Sequence, residues 1–133
     1  MKSFSLNRNE RVKKKNDFEK VYTSAKVLFS SKFLIKSLHT IDPEKKFVGV
    51  KIVAAVSKKA GNAVWRNRVK RLIKESYRLN KQSLLKKATE KKIGLLIIFS
   101  PNRFSESKNK KVFFKDISDN VIELINKIEQ QIW

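Results

Sequence analysis

Val56-Ser57-Lys58-Lys59-Ala60-Gly61-Asn62-Ala63-Val64-Trp65-Arg66-Asn67-Arg68-Val69-Lys70-Arg71 starts at the end of a Val-rich stretch and passes through a glycine. It then enters a run where basic and apolar residues recur at helical spacing. A strand leading through a short turn into a helix points to an α/β unit. Gly61 allows a tight backbone turn, and Asn62 is placed to cap the helix. On a wheel of about 100° per residue, running from Asn62 to Asn80, the residues Trp65, Val69, Leu72, Ile73 and Ser76 share one arc. Asn67, Lys70, Arg71, Lys74 and Arg78 share the opposite arc, and Arg66 and Arg68 flank the apolar stripe.

Upstream, Phe47 to Val56 has few polar residues and reads as a central, largely buried strand. Asp42-Pro43-Glu44-Lys45 is a turn, Lys32 to His39 a strand, and residues 25–30 a further short strand. Asn16-Asp17-Phe18-Glu19 has the pattern of a helix start, with Phe18, Val21 and Tyr22 following at helical spacing to about Ser24. Downstream, Ile93 to Phe99 is an apolar strand stopped by Ser100-Pro101-Asn102. A closing helix spans Phe113 to Gln131, its apolar stripe formed by Phe113, Ile117, Val121, Leu124, Ile125, Ile128 and Ile132. The expected fold is an α/β (α+β) two-layer sandwich, a mixed sheet of about four strands covered by helices. Strand order is not readable from this pattern. With 3 Gly, 2 Pro and no internal repeat, a single domain over residues 1–133 is expected, with residues 1–14 as a basic, flexible extension.

The 133 residues carry 32 Lys and Arg against 12 Asp and Glu, a net charge of +20. Residues 57–92 hold 13 basic and 2 acidic groups, whereas residues 113–133 hold 2 and 4. More than half of the excess therefore sits in about a quarter of the chain, as in a directed surface for a polyanion. Arg forks suit phosphate bidentately and Lys supplies point charges. The spacing alone does not separate RNA from DNA. An anionic membrane is disfavoured because the basic helix's stripe has core character.

Other chemistries are excluded by composition. There is no Cys for a disulfide, thiolate metal site or thiol nucleophile, and His39 is the sole histidine. The apolar run at Leu95–Phe99 is far too short to span a bilayer. No continuous apolar signal-type core opens the chain, so a soluble cytoplasmic protein is expected. Trp65 reads as packing, and His39, at a strand end before a turn, as a surface residue.

The stretch Val56–Arg71, with Arg66-Asn67-Arg68 at its centre, resembles the signature of the bacterial ribonuclease P protein component. Asn16-Asp17-Phe18-Glu19-Lys20-Val21-Tyr22 is similar to that family's first helix, and the later strands and closing helix follow in the family's order over roughly residues 8–130. The resemblance implies a non-catalytic subunit of a ribonucleoprotein that removes the 5′ leader from precursor tRNA. Catalysis would belong to the RNA subunit with its bound Mg²⁺, and the protein alone would hold no metal. It further implies an uncommon left-handed crossover at the basic helix, where chirality rules alone predict a right-handed one. The partners implied are the RNA subunit and precursor tRNA, with no membrane and no obligate protein partner.

By the same resemblance, Lys58, Lys59, Asn62, Arg66, Asn67, Arg68, Lys70, Arg71 and Lys74 face the RNA subunit. Phe18, Tyr22, Lys36 and Ser57 line a cleft for the single-stranded leader. Taken alone, Phe18 and Tyr22 suit either the core of a short helix or a stacking pair; the resemblance favours exposure, most firmly for Phe18. Lys36 stands where some relatives carry a further aromatic. A ribosomal or other RNA-packing protein shares the charge and fold class, and is the second reading. A protein-only nuclease would need clustered carboxylates or a partnered histidine, and the sequence shows neither.

Overall fold

The computed structural model describes residues 25–42 and 46–132. The expectations for the extension 1–14, the helix from Asn16, Phe18, Tyr22 and most of the turn after Asp42 lie outside the described residues. Among the described residues four strands form one sheet: β1 Lys26–Phe29, β2 Ile35–Ile41, β3 Gly49–Ala54 and β4 Gly94–Pro101. Three α-helices accompany them among the same residues: α1 Ala63–Asn80, α2 Gln82–Glu90 and α3 Phe114–Gln131. The sheet order is β1-β2-β4-β3, so β3, expected to be central, lies at an edge of the sheet beside β4. β1 pairs antiparallel with β2, and β2 with β4, whereas β3 runs parallel to β4. The mixed α+β sheet therefore matches the sequence reading. The connection from β3 through α1 and α2 to β4 is the crossover that contains the basic helix.

Alternation along β4 explains the layers. Leu95, Ile97 and Phe99 face the helices and join Val69, Ile73 and Tyr77 of α1 and Val121, Leu124 and Ile128 of α3 in the main core. Leu96 and Ile98 point to the other face, among Leu38, Phe47, Val53 and Ala55. The wheel correctly selects Trp65, Val69, Leu72, Ile73 and Ser76 as buried, and Tyr77 joins them. Phe113 departs from its expected place on the closing stripe. It precedes the first turn of α3 and is 60% exposed, with its carbonyl accepting the Asp116 N–H at 3.1 Å.

Two further expectations are corrected. The second strand begins at Ile35 rather than Lys32, because Lys32 and Phe33 adopt φ of 60° and 56° in a short 3-10 turn. The strand then continues to Ile41, so His39 is not at a strand end. Like Ile35 and Ser37 it points toward the helices, and it is buried at 3% exposure. Desolvation, followed by the nearby charge of Lys26, lowers its pKa to about 4.

Candidate nucleic-acid interface

The basic helix is aimed by its first turn. The Asn62 Oδ1 accepts the Trp65 N–H at 2.9 Å, which satisfies a backbone donor at the open end of α1. Gly61 is required for space rather than for conformation. Its backbone is extended, with φ 173°. A Cβ there would lie 2.7 Å from Trp65 Cε3 and 2.8 Å from Glu106 Cβ. The tight turn expected at this glycine is thus replaced by a close side-chain approach.

The segment after β4 braces this start. Glu106 Oε1 accepts the Asn62 N–H at 2.7 Å, and Oε2 accepts its Nδ2 at 3.0 Å. Trp65 stacks on Phe104 with ring centroids 5.7 Å apart and donates Nε1–H to the Asn109 carbonyl at 2.9 Å. It is 4% exposed, so it packs, as its place on the wheel implies. Arg68 donates from Nε and Nη2 to the Val112 carbonyl at 3.0 and 2.8 Å, and Arg66 Nε donates to the Gly61 carbonyl at 3.0 Å. Both arginines are therefore oriented by backbone oxygens, and Asn62 has both ends of its side chain engaged. Sequence patterning does not mark Glu106, Asn109 or Val112. They lie 44 residues from their partners, and pairs at that separation leave no local signature.

Lys58, Lys59, Asn67, Arg71 and Lys74 are exposed, and Lys70 is half-buried. Among the described residues these six side chains make no ion pair or hydrogen bond, which leaves their donors facing solvent. By contrast, Arg78 is engaged by Glu75, whose Oε1 accepts Nε–H at 3.1 Å; that hydrogen bond lowers the Glu75 pKa. The segment carries a dense field with its charged heads outward, a form suited to phosphate.

On the sheet's other face, Lys36, Leu38, Ala55, Val56, Ser57, Ile98 and Ser100 line an open groove of about 330 Å³. Its floor is apolar, its rim carries one cation and two hydroxyls, and Ser57 leads directly into Lys58 and Lys59. The fold thus brings together Lys36 from β2 and Ser57 from the segment just after β3, 21 positions apart in the chain. Among the described residues no group of three His, Asp or Glu side chains is placed to hold a metal ion. No helix is long and apolar enough to cross a membrane, again among the described residues.

A family model described as Ribonuclease P matches residues 6–129. The ribonuclease P protein component of Clostridioides difficile is 36% identical over 127 residues, covering 96% of this chain and 98% of that protein. The corresponding protein of Clostridium novyi is 33% identical, covering 92% and 96%. Among solved structures, the Staphylococcus aureus RNase P protein superposes with a TM-score of 0.67 at 25% identity, covering 90% of this chain and 94% of that one. The Thermotoga maritima RNase P protein shares the fold, with a TM-score of 0.70 at 21% identity over 89% and 96%.

Proposed function

The chain belongs to the bacterial ribonuclease P protein family, which places it in tRNA processing, and we propose that it serves there by holding two RNAs on two surfaces. The basic helix and the turn before it bind the RNA subunit, and the groove takes the 5′ leader of precursor tRNA. Lys58, Lys59, Asn67, Lys70, Arg71 and Lys74 engage phosphates directly. Arg66 and Arg68 add charge from guanidinium groups already oriented by backbone carbonyls, and Asn62 acts by fixing the helix start. Removal of the leader is carried out by the RNA subunit with its Mg²⁺, and the protein raises affinity for the substrate that carries a leader.

The observation that carries this reading is the continuity of the two surfaces. Ser57 lines the groove, and its chain neighbours Lys58 and Lys59 begin the cationic segment. A leader strand lying in the groove, its bases toward the apolar floor, therefore ends beside the lysines that hold the RNA subunit. Phe18 and Tyr22 belong to the same proposal as stacking rings over the groove, by resemblance to the family.

The test compares precursor with mature tRNA. The RNA subunit is assembled with unmodified protein or with the Lys36→Ala variant, and the affinity for each tRNA is measured at one salt concentration. The proposal expects the protein to tighten precursor over mature tRNA, and Lys36→Ala to remove part of that difference. Equal weakening for both tRNAs would contradict the groove assignment.

A further inference from the structure

The open face of the sheet extends past the groove to its β1 edge. Register places Phe29 opposite Lys36, so both side chains stand on the groove side. The Phe33 ring meets Phe29 edge-on, with centroids 5.3 Å apart. The Arg103 guanidinium lies over Phe33, 5.1 Å from the ring centroid. Phe33 is 48% exposed, and among the described residues Arg103 has no carboxylate partner.

This ring is held outward by a costly backbone. Bulky residues rarely adopt positive φ, yet Lys32 and Phe33 do so in succession. Hydrogen bonds fix the turn from both sides. The Phe33 carbonyl accepts from Asn102 Nδ2 and from the Arg103 N–H, each at 3.0 Å, while Glu123 Oε1 accepts from the Ser31 N–H and Oγ, each at 2.9 Å. The result is an anchored aromatic pair beside a cation that has no carboxylate partner among the described residues, at the rim of the groove.

We propose that Phe29, Phe33 and Arg103 form a base-stacking subsite for one nucleotide of single-stranded RNA, prolonging the leader's path beyond Lys36. The inference rests on the reading that the groove holds the leader. Every base has a π-face, and a ring with a neighbouring guanidinium accepts any of them. The subsite therefore senses leader length rather than leader sequence. A second copy of the chain is a poor occupant, because each copy carries +20.

The experiment uses the assembled holoenzyme and precursor tRNAs whose leaders lengthen one nucleotide at a time, with Phe33→Ala, Phe33→Tyr and Arg103→Gln variants. Unmodified protein gains affinity as the leader fills the groove and once more when it reaches the subsite. Phe33→Ala removes that last gain, about tenfold, and leaves shorter leaders and mature tRNA unaffected. Phe33→Tyr retains the gain, and Arg103→Gln loses part of it. If leader length matters for unmodified protein but the last gain survives Phe33→Ala, or every length weakens equally, the subsite is overturned while the groove stands. If unmodified protein shows no dependence on leader length, the groove reading fails first and takes the subsite with it.

Discussion

Glu106 grips Asn62 at two points, accepting its backbone N–H at 2.7 Å and its side-chain amide at 3.0 Å. An acid thus sits at the head of the most basic segment of the chain, lining a shallow depression with Lys59 and Lys110. Its contribution to the fold and its contribution to polyanion binding have opposite signs. Glu106→Ala is expected to lower stability by about 1–2 kcal/mol through loss of charge-assisted hydrogen bonds. Removal of the negative charge should at the same time strengthen binding of non-specific single-stranded RNA at low salt. Urea unfolding and a binding isotherm on the same variant check both signs.

Gly61→Ala tests the close approach beneath the helix start. With φ at 173° the alanine backbone is unstrained. Its methyl group, however, must displace Trp65 and Glu106 from 2.7 and 2.8 Å. The expected loss is about 1–3 kcal/mol, typical of overpacking. Thermal unfolding measures it, and a neutral result would mean that the loop carrying Glu106 yields freely.

The basic residues should divide into two groups when replaced singly by Ala. Arg68 donates twice to the Val112 carbonyl, so Arg68→Ala should lose about 1 kcal/mol of stability in addition to RNA affinity. Arg71 and Lys74 have no such bonds among the described residues. Their variants should keep stability within about 0.5 kcal/mol. Removing one phosphate-neutralising charge should flatten the slope of log affinity against log salt by about 0.7 to 0.9. Stability curves and salt titrations of the three variants separate the groups.

His39 supplies a pH test with one reporter, since the chain has no other histidine. Its pKa is about 4 in the fold against 6.5 for the free side chain. The unfolded chain therefore binds the proton first as pH falls. The neutral side chain's full stability is present above pH 6.5, declines between 6.5 and about 4, and is lost below that. The total is about 3–4 kcal/mol, at roughly 1.4 kcal/mol per pKa unit. Proton NMR of the imidazole should show a midpoint near 4, and His39→Gln should remove this component of the acid destabilisation. A midpoint near 6.5 would contradict the burial.

Much of this architecture was legible because it is written in local periodicity. The apolar arc of Trp65, Val69, Leu72 and Ile73 and the alternation through Leu95–Phe99 depend only on neighbouring residues, and both elements formed where expected. His39 was misplaced because a strand's end decides whether a polar residue meets a turn or the core. That end is set by pairing with Leu95 to Ile97 of a strand far along the chain. The groove shares Lys36 and Ser57 with the cleft that the family resemblance implies, and the other two residues of that cleft, Phe18 and Tyr22, lie outside the described residues. Its other walls, Ala55, Ile98 and Ser100, are ordinary strand residues until the sheet order brings them together. Glu106 was invisible for the same reason, since its partner is reached through tertiary structure alone.

The central claim, that the groove and the basic helix hold different RNAs, can be tested by site-directed crosslinking. The chain lacks Cys, so Ser57→Cys and Lys74→Cys each provide a unique attachment point for a photoactivated crosslinker. In holoenzyme assembled with labelled precursor tRNA, the probe at position 57 should join to the 5′ leader and the probe at position 74 to the RNA subunit. Crosslinks from position 57 to the RNA subunit or to the mature tRNA body, with none to the leader, would contradict it.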